Sequence, residues 1–462
     1  MTRRAIVVGS GPNGLAAAIT LARAGLDVTV LEAGATIGGG MRSEQLTLPG
    51  FTHDVCSAIH PMAVASPFFR SLPLHQYGLE WIHPSAPLAH PLDDGTAVVL
   101  DRSLTATASA LGPDGSAWRS LFAPLLPPRH PFTMARFGLT ALRSADALAR
   151  ARFRDERARA LFAGMAAHSV VPLTARASAS FGLVLGMTAH AGGWPIPRGG
   201  SAAIANALAE CLEAAGGKIE TGFPVKSAGD VGNADVVIFD LTPHELLKIT
   251  AERLAPRYRR RLGRYRFGPA SFKVDWALSE PIPWRAAECR RAGTVHVGGG
   301  LDDIARSERD AWDGRHCERP FVLVAQQSLF DATRAPAGKH TAWAYCHVPH
   351  GSKEDMTARI ESQIERFAPG FRDIILGRHV FTPLDFQRYN ANYFGGDVVG
   401  GANDFRQTLA RPVLALHPYR LRTIGGERWY ICSASTPPGG GVHGMGGYHA
   451  ARSALRSLKA GK

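Results

Sequence analysis

The sequence predicts an α/β fold in which a parallel sheet is joined to a second, α+β unit, and three observations carry that prediction. The first 32 residues run through an apolar strand, a glycine turn, an amphipathic helix and a second apolar strand. The same alternation returns after residue 200, from a helix over 201–215 into strand-like stretches at 218–221 and 235–239. Elsewhere the pattern changes to short Ala-, Arg- and Leu-rich helices and then to β-type runs, so two kinds of core are expected. At 462 residues the chain also exceeds what one core usually supports.

Taken in order, residues 5–8 read as the first strand and 13–24 as a helix that Gly25 ends. Leu15, Ala18, Ile19 and Ala22 share one face of that helix, and 28–32 form the next strand. Residues 91–190 read as short helices with proline interruptions such as Leu126-Pro127-Pro128. After Gly199-Gly200, the residues Ile204, Ala207, Leu208 and Leu212 mark one face of the 201–215 helix. Strand-type runs follow at 272–276 and 321–324, a last strand at 429–432 and a final helix over 446–458. The expected division is a discontinuous first domain of 1–90, 191–255 and 395–462, with 91–190 and 256–394 forming the second.

Composition narrows the classes. No run of some 18 apolar residues exists to span a bilayer, and residues 1–5 enter the first strand with no secretory pattern, so a cytoplasmic protein is expected. Cys56, Cys211, Cys289, Cys317, Cys346 and Cys432 show no CxxC pair, which points to reduced structural thiols, no metal and no redox disulfide. The net charge of +13 concentrates in two arginine clusters, 143–159 and 257–266. These fit either a solvated basic face or docking at an anionic membrane surface, and no nucleic-acid motif accompanies them.

Gly9-Ser10-Gly11-Pro12-Asn13-Gly14 matches GxGxxG between strand and helix, and Glu32 follows 18 residues after Gly14, with Ala33 beside it. Gly9 permits the tight turn, Gly11 lets backbone approach a pyrophosphate, and Gly14 lets helix and strand pack closely. The helix N-terminal amides would then face phosphate, and Glu32 would accept from the ribose hydroxyls of a dinucleotide.

Gly38-Gly39-Gly40-Met41-Arg42-Ser43 continues this pattern as a GGxxR-like stretch, and residues 430–451 form a glycine-rich C-terminal segment. Together they resemble the FAD-binding class that includes phytoene desaturases, amine oxidases and Rab GDP-dissociation inhibitors. The C-terminal segment is similar to that of phytoene-desaturase-like oxidoreductases, in the pyridine-nucleotide-disulfide-oxidoreductase-domain-2 branch, which lacks the disulfide. The resemblance implies an FAD-binding Rossmann-like (GR2-type) domain with an α+β substrate domain. It implies that Gly39, Gly40 and Arg42 extend the dinucleotide site, that Val225 meets the adenine, and that Gly441, Val442 and Met445 lie along the flavin. Ser433 to Pro438 depart from the family's Gly-Ala-Gly-Thr-His-Pro, which leaves roles there open.

By the same resemblance the activity would be a dehydrogenation in which an apolar, polyene- or lipid-like substrate gives hydride to flavin N5. Dioxygen or a quinone would be the acceptor, because no second GxGxxG offers a nicotinamide site. An amine oxidase, a flavin-dependent isomerase and a non-catalytic binding protein like the GDP-dissociation inhibitors are the alternatives. His60, His168, His190 and His443 are candidates for proton handling, and the motifs flanking His60 and His443 favour these two as catalytic residues.

Overall fold

The computed structural model describes residues 2–126 and 131–460. Pro127 and Pro128, expected to interrupt helices, lie outside them.

Five parallel strands form the first sheet, in the order Trp429–Ile431, Val236–Phe239, Arg4–Val8, Asp27–Leu31 and Lys218–Glu220. Along the first strand Ala5 and Val7 enter one core while Ile6 and Val8 enter another. Both faces are covered, which is why these strands read as continuous apolar runs. Helices Pro12–Ala22, Ala202–Ala214 and Met445–Ala460 cover one face together. The last of them lies directly on the first, since a Cβ on Gly447 would fall 1.7 Å from the Asn13 carbonyl oxygen. The two ends of the chain therefore meet.

The second sheet has seven strands, in the order Ile375–Phe381, Ala270–Leu278, His340–Val348, Val322–Ala325, Ala292–Val297, Ala86–Pro91 and Ala97–Leu100. Its pairings are antiparallel except that of Ala292–Val297 with Ala86–Pro91. In the long strand Ala270–Leu278, Phe272, Val274 and Trp276 enter an apolar core. Pleating sends Lys273 and Asp275 to the opposite face. The helices of the expected 91–190 region, with Leu301–Trp312, pack beside this sheet around Trp118, Phe122, Phe153 and Phe162.

Two expected boundaries shift. Residue 90 falls inside the strand Ala86–Pro91, which pairs in the second sheet. Helix Pro256–Leu262, expected in the second domain, packs Tyr258 and Leu262 against Val237 and Phe239 of the first sheet. Both shifts share a cause: buried apolar side chains follow the sheet they cover, and composition alone does not say which sheet that is.

Candidate functional site

The glycine turn is built by close approach. Gly9 has φ +99°, and a Cβ on Gly14 would lie 2.0 Å from the Gly9 carbonyl oxygen, so only glycine fits there. The turn opens helix Pro12–Ala22, whose first residue is proline, tolerated because that amide has no intrahelical partner. Gly39, at φ +56°, brings the second glycine stretch so near that its Cβ would sit 3.2 Å from Gly11 Cα.

A cavity of about 1050 Å³ begins at this turn and runs between the sheets. Gly9, Ser10, Gly11, Pro12, Asn13, Glu32, Ala33, Gly39, Gly40, Arg42 and Val225 border it, as do Gly441, Val442 and His60. Gly14 and Met445 stand behind its wall: Gly14 donates its N–H to Asp240, and the Met445 N–H donates to His443 Nδ1 at 3.0 Å. His443 does not border the cavity either; its ring caps the start of the C-terminal helix. Of the other histidine candidates, His168 borders the cavity and His190 accepts from the Trp118 indole N–H at 3.1 Å.

Glu32 is held by four donors. One oxygen accepts from the Ser10 N–H at 2.9 Å and the Ser10 hydroxyl at 2.6 Å, the other from the Gly34 N–H at 2.7 Å and Arg42 at 3.2 Å. This fills the carboxylate's acceptor sites, so a ribose hydroxyl would replace one of these partners. Arg42 borders the cavity beside Glu32. Its guanidinium pairs with Glu32, donates to the Thr36 and Ile37 carbonyls and lies over the Tyr389 ring. A short loop from 32 to 42 brings the two charges together.

His60 is 2% exposed and its Nε2 lies 2.8 Å from Ser201 Oγ. That hydroxyl donates to the Ser57 carbonyl at 2.5 Å, so His60 Nε2 carries the hydrogen and Nδ1 is the bare nitrogen. Burial lowers the His60 pKa to about 4 and that of His168 to about 3. His443 is likewise lowered to about 4 by burial. All three imidazoles are neutral at physiological pH.

Sequence reading missed Asp240, Glu245, Lys273, Arg388 and Arg411, all on the cavity wall. Asp240 directly follows Val236–Phe239, and burial raises its pKa to about 7, with the nearby Glu32 charge adding to the rise. Lys273, 1% exposed, lies 2.5 Å from the buried Asp275, near the Trp343 and Phe381 rings. Arg411, 3% exposed, donates to Asn403 Oδ1 and to the Ala434 carbonyl. A signal existed for Lys273 and Asp275, two charges in alternate positions of an otherwise apolar strand. None marked Arg411.

Among the described residues no group of three His, Cys, Asp or Glu side chains could hold a metal, and no helix is long and apolar enough to cross a membrane.

Comparison with known proteins follows the same lines. Residues 7–72 match the NAD(P)-binding Rossmann-like domain. The chain is 25% identical to pyridine nucleotide-disulfide oxidoreductase domain-containing protein 2 of Rattus norvegicus, over 98% of this chain and 94% of that one. It is 26% identical to phytoene dehydrogenase of Streptomyces griseus, over 95% and 92%. An oxidoreductase structure from Methanosarcina mazei superposes with TM-score 0.67 at 19% identity, covering 98% of this chain and 100% of that one. Putrescine oxidase does so with TM-score 0.61 at 16%, covering 99% of each. Over nearly all of its length the chain is thus a relative of proteins named pyridine nucleotide-disulfide oxidoreductase domain-containing protein 2 and phytoene dehydrogenase, on a Rossmann-like α/β fold shared with amine oxidases.

Proposed function

We propose that this protein is an FAD-dependent oxidoreductase that removes two hydrogens, with their electrons, from an apolar polyene- or lipid-like substrate and passes the electrons to dioxygen or a quinone. The observation that carries the reading is the single cavity that joins the glycine turn and Glu32 to the 439–442 loop and to the wall of the second sheet. Its volume of about 1050 Å³ lies at the upper end of the roughly 300–1,000 Å³ of ligand sites, in keeping with a large cofactor.

The residues fit the cofactor. A side chain on Gly11 would meet Asp240, its Cβ lying 2.6 Å from Oδ2, so a larger residue would displace that carboxyl beside the turn that faces the cavity. Gly439 and Gly441, at φ +117° and +119°, let the 439–442 backbone run flat along a ring. When bound, the flavin would take one hydrogen with the electron pair from a substrate C–H bond, and the second hydrogen would leave as a proton to water. The chain's own work is to position and to exclude water. Leu323, Trp343, Tyr345, Phe181, Leu185 and Trp194 give the far end an apolar wall. Asp275 fixes the Lys273 ammonium on that wall. That apolar wall, with the Lys273 charge already balanced by Asp275, favours an apolar substrate and sets the amine-oxidase reading second.

The test is an absorbance spectrum of the purified protein, followed by anaerobic mixing with polyenes, long-chain lipids and amines. Flavin bands that bleach with an apolar compound support the proposal. A colourless protein that releases no flavin favours the binding-protein alternative, and bleaching by amines alone favours the amine oxidase.

A further inference from the structure

The two arginine clusters differ in the fold. In the first, Arg150 pairs with Asp146 and Asp302, Arg157 donates to Thr96 and the Ala97 carbonyl, and Arg159 donates to the Phe153 carbonyl. Arg150, Arg157 and Arg159 are thus taken up by the protein itself, while Arg152 and Arg154 make no ion pair among the described residues. In the second, helix Pro256–Leu262 buries Tyr258 and Leu262, while Arg257, Arg260, Arg261 and Arg264 surround one surface depression. Those four make no ion pair among the described residues.

Exposed aliphatic side chains lie beside this second cluster. Of nine large hydrophobic residues exposed among the described residues, four fall within 409–424: Leu409 at 65%, Leu414 at 75%, Leu416 at 96% and Ile424 at 66%. The segment is bonded to the arginine helix, as the Ala255 N–H donates to the Arg422 carbonyl and the Ile424 N–H to the Arg253 carbonyl, both at 2.8 Å. Arg406, Arg420 and Arg422, in or next to the same segment, are exposed. Thr408, exposed and next to Leu409, borders the large cavity, so the cavity reaches the surface here.

We propose that the face formed by helix Pro256–Leu262 and the 409–424 segment docks on an anionic lipid bilayer. Unpaired arginines meet lipid phosphates, and the leucines enter the headgroup and acyl boundary beside a cavity opening. Nucleic acid fits less well, because the exposed apolar groups are aliphatic and offer no stacking surface. A second copy of the chain fits less well too, since a two-fold contact would set arginine against arginine. The inference goes beyond the redox reading and needs neither its cofactor nor its reaction.

The test is co-sedimentation of the purified protein with phosphatidylcholine vesicles, with and without about one-third phosphatidylserine, scored by bound protein and not by turnover. Binding to the anionic vesicles only is expected. Leu414→Ser with Leu416→Ser, and separately Arg260→Glu with Arg261→Glu, each lower partitioning about tenfold or more, while Arg152→Glu with Arg154→Glu leaves it unchanged. Circular dichroism and size-exclusion chromatography check that each variant is folded. Equal binding to neutral vesicles, no loss in the second-cluster variants, equal loss in the first-cluster control, or a wild-type dimer that the leucine variants dissociate would each overturn the proposal.

Discussion

Asp240 Oδ2 accepts the backbone N–H of Gly14 at 2.9 Å, placing a half-buried carboxyl under the turn expected to face a pyrophosphate. With its pKa raised to about 7 by burial, Asp240 is largely protonated in the folded protein below that pH, whereas in the unfolded chain it ionises near 3.8. The folded state therefore binds the extra proton, so this contribution to stability is complete below about 4 and is lost as pH rises through 7. Urea unfolding from pH 5 to 7 should show stability falling with a contribution of up to about 1.4 kcal/mol per pH unit, which Asp240→Asn abolishes. Dinucleotide retention should also weaken above pH 7, where the carboxylate repels phosphate. A variant with the wild-type pH slope would remove Asp240 from this role.

Gly11 and Gly14 separate two functions of one motif. A Cβ on Gly14 meets backbone at 2.0 Å, so Gly14→Ala should destabilise the fold by about 1–3 kcal/mol. At Gly11 the obstacle is a side-chain oxygen, and Gly11→Val should abolish flavin retention with a smaller loss of melting temperature. Thermal unfolding and the flavin-to-protein absorbance ratio, measured on both variants, distinguish the two. Yellow Gly11→Val protein would count against the placement of the cofactor.

The glycine turn and Glu32 were legible in the sequence because each rests on local chemistry, a backbone approach that only glycine permits or a strand end at fixed distance. The meeting of the chain's ends was expected only from the family resemblance of the C-terminal segment. The partners of the turn and of Glu32 were not legible. Asp240 reaches Gly14 across 226 residues and Tyr389 donates to the Gly39 carbonyl across 350. Such contacts come from the sheet order, which periodicity does not encode. The Arg42–Glu32 pair was not read either, because the spacing of the two residues does not say that their side chains meet. His443 was misjudged for a similar reason: its motif flanks the cavity, but its ring turns back to cap a helix.

Lys273 and Asp275 form a buried pair, at 1% and 0% exposure. Removing the cation alone leaves an uncompensated carboxyl, and Lys273→Met should cost about 3–5 kcal/mol by chemical denaturation. Lys273→Met combined with Asp275→Leu should recover most of that loss. If the double variant is no more stable than the single one, the pair is not the source of the cost.

His60 provides the sharpest test of what performs proton transfer. Its Nε2–H is committed to Ser201, and its pKa of about 4 leaves the ring neutral throughout the range from pH 5 to 8. A shuttle that charges near neutrality would need both that hydrogen bond and the surrounding burial to change. The rate of flavin reduction should therefore show no imidazole step between pH 5 and 8. His60→Gln, which keeps a donor within reach of Ser201, should slow reduction by less than the roughly 10²–10⁴-fold that general acid–base catalysis contributes. His60→Phe, which strands the Ser201 oxygen, should lose stability by about 1–3 kcal/mol, measured by urea unfolding. A pH step near 6.5 that disappears in His60→Gln, together with a loss of a hundredfold or more, would restore His60 as the proton carrier.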